Sequence, residues 1–383
     1  MWYFPQGFSP EDQSKTSPGT DSPKRQSYAI AVIPGDGIGP EVVAQGQRIL
    51  QQVMKLDPSV HLTFEEFPWN SQYYFTHGTM MPPDGLETLR KFDAIYFGAI
   101  GVPDLPLHIP VWGLILPIRQ AFDQYVNLRP VFLYPGIKSP LDSVSPGDIN
   151  MWIVRENSEG EYAGQGARLF AGTPRDVALQ TAVYSRHGVQ RTIRYAFELA
   201  RHFQKRCMSI SKGNALNYSG VLWDDVFHAV AQEYPDVAHE ALLVDAAALY
   251  MVTQPERSQV VVTANLFGDI LSDLGAAIAG GLGLAASANF NPDRQFPALF
   301  EPVHGSAPDK AGQGIANPLA AIVSGGMMMG YLGHSDWEWR IITAVQRLLR
   351  TPGPRTPDLG GTASTEEMGD AVLAQLTASM RTE

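Results

Sequence analysis

The sequence predicts an α/β protein of two lobes, and three observations carry that prediction. Short apolar runs rich in Val and Ile, such as "YAIAVI" and "SQVVVTA", alternate with amphipathic stretches of about 10–17 residues. That alternation marks strand–helix units whose strands are buried on both faces in largely parallel sheet. The chain has 383 residues, 44% of them hydrophobic, ample for a large core and more than one lobe. Its last part turns mostly helical without a repeat or a long linker, so the lobes are expected to interleave.

In chain order, residues 1–27, "MWYFPQGFSPEDQSKTSPGTDSPKRQS", are rich in Ser, Pro and charge. They lack the apolar core of a secretory signal and the Arg-rich pattern of a transit peptide, and read as a flexible N-terminal tail. Strands follow at 28–33, 92–100, 149–154, 207–211, 241–246 ("ALLVDA") and 258–264. Helical patterns cover 41–55, 189–205, 220–234, 317–332, 335–350 and 364–380.

Composition excludes several function classes. A net charge of −11 argues against a nucleic-acid or anionic-membrane surface, while leaving room for a local arginine cluster that binds a small anion. A lone cysteine, Cys207, rules out an internal disulfide and suits a reducing compartment. No apolar run reaches the roughly 18 residues of a membrane span. The expectation is a soluble, cytoplasmic protein with no membrane partner.

Two glycine-rich stretches invite a nucleotide. "GDGIGPE" follows a strand and opens a helix, yet Gly35, Gly37 and Gly39 miss the G-x-G-x-x-G spacing, so the fold is not expected to be a Rossmann fold. A tight strand-to-helix turn with Pro40 near the helix start reads equally well. "FEPVHGSAPDKAGQGIANP" (300–318) carries Glu301, His304, Asp309 and Asn317 among Gly305, Ser306 and Ala307. Backbone amides in such a loop approach phosphates closely, and an acidic side chain accepts from a ribose hydroxyl.

"NLFGDILSDLG" (265–275) sets Asp269 and Asp273 four residues apart in an apolar run. On a helix, Leu266, Phe267, Ile270, Leu271 and Leu274 form one stripe expected to pack into the core and anchor the helix, and the two aspartates lie along its edge. Helix-start carboxylates or ligands in a cleft both fit this placement.

Taken with "IPGDGIGPEVV", "DQYVNLRP", "VRENSEGEYAG" and "SKGN", these two stretches complete six ordered motifs. Together they resemble the isocitrate/isopropylmalate dehydrogenases, the metal-dependent β-decarboxylating dehydrogenases, from about Ala29 to the C-terminus. The resemblance implies a two-lobed α/β fold. Its first lobe would comprise 28–124 and 256–383, carrying the nucleotide and both chain ends. Its second lobe, 125–255, would serve dimerisation and substrate. It also implies a homodimer with shared active sites, a nicotinamide cofactor, and Mg²⁺ or Mn²⁺ on oxygen ligands. Asp269 and Asp273 match the family's metal pair, and Asp245 matches a third aspartate supplied by the partner subunit. Arg119, Arg129 and Arg155 match arginines that bind substrate carboxylates bidentately. Tyr162 and Lys212 match the acid–base pair, Lys212 also acting across the dimer. Asn214 and Asn265 match positions near substrate and nicotinamide, respectively.

Substrate choice is implied by the helix before Arg119, "VWGLILPIR". Gly113 and Ile115 stand where isocitrate enzymes place Ser and Asn. Trp112 followed by Ile115 and Leu116 looks most like the tartrate/D-malate branch, in which a tryptophan closes the pocket on a C4 acid; Pro117 departs from that branch. Asp309 favours NAD because a carboxylate repels a 2′-phosphate, although Lys310 beside it departs from the usual aliphatic residue. The expected activity is oxidative decarboxylation of a small 2-hydroxy dicarboxylate such as D-malate or tartrate. The alternatives are a 3-isopropylmalate or other alkylmalate dehydrogenase, and a non-catalytic regulatory subunit. The full set of chemical residues weighs against the last.

Overall fold

The computed structural model describes residues 26–142 and 144–379. Apart from Gln26 and Ser27, which already belong to the first strand, the tail expected over 1–27 lies outside the described residues. Among the described residues the strands are β1 (Gln26–Gly35), β2 (Val60–Glu66), β3 (Ala94–Ala99), β4 (Val126–Phe132), β5 (Asn150–Glu156) and β6 (Gly160–Leu169), then β7 (Val177–Val183), β8 (Cys207–Ser211), β9 (His239–Leu243), β10 (Val260–Thr263), β11 (Ala286–Phe290) and β12 (Ala298–Pro302). The chain divides into two compact units. No helix among the described residues is long and apolar enough to cross a membrane.

The first unit comprises 26–123, 133–142 and 276–379. Its sheet runs β2–β1–β3–β12–β11, parallel except for β11, which pairs antiparallel with β12. Ile30–Ile33 of β1 and Ala94–Phe97 of β3 are buried on both faces, as their unbroken apolar runs anticipate. Helix Gly39–Leu56 packs against helix Leu319–Tyr331, every residue of which is buried, and against helix Thr365–Ser379. Gly46 is required at the first of these contacts: a Cβ there would lie 1.7 Å from the Tyr96 hydroxyl, which donates to the Ala321 carbonyl at 2.7 Å.

The second unit comprises 124–132 and 144–275. Its sheet runs β4–β5–β10–β8–β9, with β4 antiparallel to β5 and the other strands parallel. Trp152 anchors one face, stacked on Phe203 at 5.0 Å and meeting Phe132 edge-on at 5.1 Å. Helices Arg186–Phe203 and Ser219–Ala231 pack together through Phe197 and Phe227, 5.4 Å apart. A separate antiparallel hairpin, β6–β7, exposes apolar Leu169, Val177 and Leu179.

Three expectations need correction. Residues 256–275 group with the second unit instead of the first, because β10 inserts between β5 and β8; residues 133–142 group with the first. The strand expected over 241–246 ends at Leu243, so Asp245 sits in the first turn of helix Val244–Thr253. The helix carrying Asp269 does not bury the whole apolar stripe. Gly268, Leu271, Ser272 and Gly275 are buried, whereas Ile270 is 58% exposed beside the aspartates.

Candidate active site

In an open parallel sheet, functional groups collect where strands end and helices begin. The second unit follows this rule. β5 ends at Arg155 and Glu156, β8 runs into Lys212, β9 into Asp245, and β10 into Asn265 and the helix Asn265–Ile278.

Arg155 is only 2% exposed and is held from several sides. Its Nε and Nη2 donate to Asn265 Oδ1 at 3.0 and 2.8 Å, and its Nη1 donates to Asp269 Oδ1 at 2.6 Å. Its aliphatic stem runs over Gly268, where a Cβ would lie 2.6 Å from Arg155 Cγ. Arg129, also buried, donates through Nε to Asn127 Oδ1 and through Nη1 to Ser272 Oγ, both at 2.7 Å. Its Nη1 lies 3.6 Å from Asp269 Oδ1 and 3.8 Å from Asp273 Oδ1. Side-chain partners thus lock both guanidinium forks in place while their charge faces the two aspartates.

Tyr162, near the start of β6, donates to Asp269 Oδ2 at 3.3 Å with the Arg155 guanidinium over its ring. Burial, then the Asp269 charge, raises its pKa above the ordinary tyrosine value, against the opposing pull of Arg155. Burial likewise raises the Asp273 carboxyl, Arg129 lowers it, and Asp269 raises it further. Two carboxylates one helical turn apart repel one another. Their side chains stay partly exposed, 43% and 57%, and supply the hard oxygen donors that suit a divalent cation.

Lys212 and Asp245 form a second group: Lys212 Nζ lies 2.5 Å from Asp245 Oδ1, and that bond holds the Asp245 carboxyl below its ordinary value. Exposed Asn214 belongs to the same turn. Among the described residues no cluster of three or more His, Cys, Asp or Glu side chains is gathered closely enough to hold a metal. The expected triad of Asp245, Asp269 and Asp273 is therefore not gathered within one chain, as the expected supply of Asp245 by a partner subunit requires.

The remaining predicted residues lie in the first unit. Arg119, expected at substrate, and Glu301, expected at cofactor, are paired with each other: Arg119 Nη2 donates to Glu301 Oε1 at 2.7 Å, and Asn289 Nδ2 donates to the same oxygen at 2.8 Å. Arg119 Nε is buried without a hydrogen-bond partner, leaving a donor for a ligand. Upstream, Val111–Ile115 forms a π-helical turn leading into helix Leu116–Ala121. Trp112 is 39% exposed, whereas Ile115 and Leu116 are buried.

In the glycine-rich loop, His304 Nδ1 contacts the Gly305 carbonyl at 2.9 Å, its Nε2 is shielded and unpartnered, and burial lowers its pKa. Gly305 is exposed, while Ser306 is buried and its neighbour Ala307 has a left-handed φ of +38°. Asp309 and Lys310 are exposed and lie 3.5 Å apart. Asn317 is engaged, donating to Asp358 at 2.9 Å and accepting from the Leu319 amide at 3.0 Å. An exposed glycine, an unpartnered imidazole nitrogen and an exposed carboxylate fit a nucleotide.

Sequence reasoning missed Asn127 and Ser272, which orient Arg129. Both had a signal: Asn127 lies two residues before Arg129 on the same strand face, and Ser272 lies three after Asp269 on the same helix.

Comparison with known proteins identifies the family. D-malate dehydrogenase [decarboxylating] of Escherichia coli (strain K12) is 49% identical over 355 residues, covering 91% of this chain and 98% of its own length. The 3-isopropylmalate dehydrogenase of Thermobifida fusca (strain YX) is 48% identical over 356 residues, covering 92% and 98%. Among solved structures, isocitrate dehydrogenase from Methylococcus capsulatus superposes with a TM-score of 0.83 at 36% identity, covering 91% of this chain and 99% of that one. The family model described as isocitrate/isopropylmalate dehydrogenase matches residues 29–372. The expected α/β fold and family both hold: this chain belongs to the isocitrate/isopropylmalate dehydrogenase family.

Proposed function

We propose that the protein is an NAD- and divalent-metal-dependent oxidative decarboxylase of a small 2-hydroxy dicarboxylic acid such as D-malate or tartrate. The observation that carries this reading is the pair of locked guanidinium forks, Arg129 and Arg155, set against Asp269 and Asp273 with Tyr162 on the same carboxylate. A bound nicotinamide would supply a hydride acceptor, and a bound Mg²⁺ or Mn²⁺ ion would supply Lewis-acid stabilisation of developing negative charge on oxygen.

Arg129 and Arg155 bind the substrate carboxylates; in the first unit, Arg119 is a further carboxylate-binding residue through its unpartnered Nε. Asp269 and Asp273, with Asp245 of a second copy, would hold the cation. Lys212 of that copy takes the proton from the 2-hydroxyl. After carbon dioxide leaves, the Tyr162 hydroxyl protonates the carbon that carried it; its raised pKa keeps the phenol loaded at neutral pH. In the first unit, His304, Gly305, Ser306 and Ala307 line the nucleotide, with Asn317 beside it; in the second, Asn265 serves the nicotinamide. Asp309 accepts from the adenosine ribose and disfavours a 2′-phosphate. Overall, the hydroxy acid and NAD⁺ become an oxo acid one carbon shorter, carbon dioxide and NADH.

Trp112, on the turn that leads through buried Ile115 to Leu116, favours a C4 acid, since a bulky ring leaves little space for a branched alkyl group. The apolar pair also supports a second reading, 3-isopropylmalate, and a relative of that name is 48% identical. An assay of purified protein with Mn²⁺, offering D-malate, tartrate, 3-isopropylmalate and isocitrate with NAD⁺ and then NADP⁺, decides. Brisk turnover of 3-isopropylmalate with none of D-malate or tartrate overturns the first reading.

A further inference from the structure

The first glycine-rich turn has no role in the chemistry above, yet it is wired to the loop that has one. Asp36, the second residue of "GDGIGPE", is buried. Its Oδ1 accepts from the Ser71 amide at 3.0 Å, and its Oδ2 accepts from Ser71 Oγ at 2.6 Å and the Gly101 amide at 2.8 Å. Gly101, at φ +115°, turns its carbonyl to Ser306 Oγ, 2.6 Å away. Gly101 is therefore gripped on one side by Asp36 and on the other by the nucleotide loop.

The backbone repeats the link. The Asp36 amide donates to the Ala99 carbonyl at 2.7 Å, and the Ile38 amide donates to the Ser306 carbonyl at 2.8 Å. Gly37, at φ +61°, passes so close that a Cβ would lie 1.9 Å from the Ser306 carbonyl oxygen. Farther along the loop, Glu41 Oε1 accepts from the Gly312 amide at 2.6 Å. Ala307 packs on Ile38, Val42, Ala316 and Ala321 while keeping its left-handed backbone. A non-glycine residue holds that conformation only when its surroundings over-determine it.

We propose that Asp36 is a positioning residue: acting through Gly101 and Ser306, its carboxyl group holds residues 304–307 in their nucleotide-binding shape. The inference rests on the proposed nucleotide site. Its chemistry is specific. Asp36 serves three donors as an acceptor, and an amide of equal size turns a donor of its own toward at least one of them. The expected consequence of Asp36→Asn is a loosened loop with the fold retained.

The test is a fluorescence titration of the full-length protein with NADH, with amide hydrogen exchange over 300–318 measured alongside. Wild type, Asp36→Asn, Ser306→Ala and the double variant are compared. Asp36→Asn is expected to weaken NADH binding at least tenfold and to speed exchange in the loop, with a cooperative melt preserved. The double variant is expected to bind no more than about twofold more weakly than the worse single variant, because both changes break one link. Unchanged affinity in Asp36→Asn, or single effects that multiply in full, overturns the inference. If Asp36→Asn does not fold, Ser71→Ala removes one donor to the carboxyl group without touching the loop; weakened NADH binding then supports the inference and unchanged binding overturns it. Failure of the wild type to bind either NADH or NADPH overturns the nucleotide site itself, and this inference with it.

Discussion

Gly268→Ala tests whether the place of Arg155 depends on a residue with no chemistry of its own. An added methyl would sit 2.6 Å from Arg155 Cγ and 2.7 Å from its Cβ. Carbon atoms prefer about 3.5–4.0 Å, so roughly 1 Å of displacement must be found. The Arg155 backbone has little to give, since it is laddered between Asn127 of β4 and Thr263 of β10. The guanidinium moves instead, and its 2.6 Å bond to Asp269 breaks. Overpacking costs about 1–3 kcal/mol. A lost charge-assisted bond adds about 1.5–3 kcal/mol, discounted toward the low end by the partial exposure of Asp269. Removing a helical glycine returns about 1 kcal/mol. The net expectation is a stability loss of about 1.5–3.5 kcal/mol, with D-malate affinity down about 10–100-fold. Urea melts and calorimetric titration of D-malate with Mg²⁺ measure the two. A variant within about 0.5 kcal/mol of wild type in stability that binds D-malate within twofold refutes the reasoning.

Three further outcomes are expected. Lys212→Ala and Asp269→Ala chains, each inactive alone, regain activity when mixed and allowed to exchange subunits; random pairing of two-site dimers sets a ceiling of about one quarter of wild type, and verified exchange with no recovery excludes a shared site. Trp112→Ala shifts the kcat/KM ratio of 3-isopropylmalate to D-malate upward by about tenfold or more, and an unchanged ratio removes Trp112 from substrate selection. Burial holds His334 below the usual histidine pKa, against a smaller upward pull from Asp57. The unfolded chain therefore takes up that proton first, and stability falls as pH drops through about 6.5. Urea melts at pH 7.5 and 5.5 should show a smaller loss in His334→Gln than in wild type; equal losses sink the argument.

The reactive groups were more legible in the sequence than their supports. Arg155, Asp269 and Tyr162 stand out because their residue types fit the chemistry and their motifs occur in order. Asp245 was placed on a strand because "ALLV" reads as one apolar run, yet the helix begins at Val244, where no glycine or proline announces the change. Periodicity assigned Ile270 to the core since it records only apolar character; Gly268 and Gly275 take the buried face because closely packed neighbours leave no space for side chains. The lobe boundary slipped because β10 is a short strand whose pairing partners lie far away in sequence. The Arg119–Glu301 pair was invisible for the same reason: 182 positions separate two residues that share one hydrogen bond.

Exposed Ile270, between Asp269 and Asp273 on one helix, has a consequence in solution. A buried partner for Ile270 and completion of the cation site by a second copy would form in the same association step. Specific activity and melting temperature should then both rise with protein concentration until the binding equilibrium saturates, and fall together on dilution. An aspartate-lined helix that leaves an isoleucine in water would thus make turnover a reporter of mass action, with dissociated chains idle before they unfold.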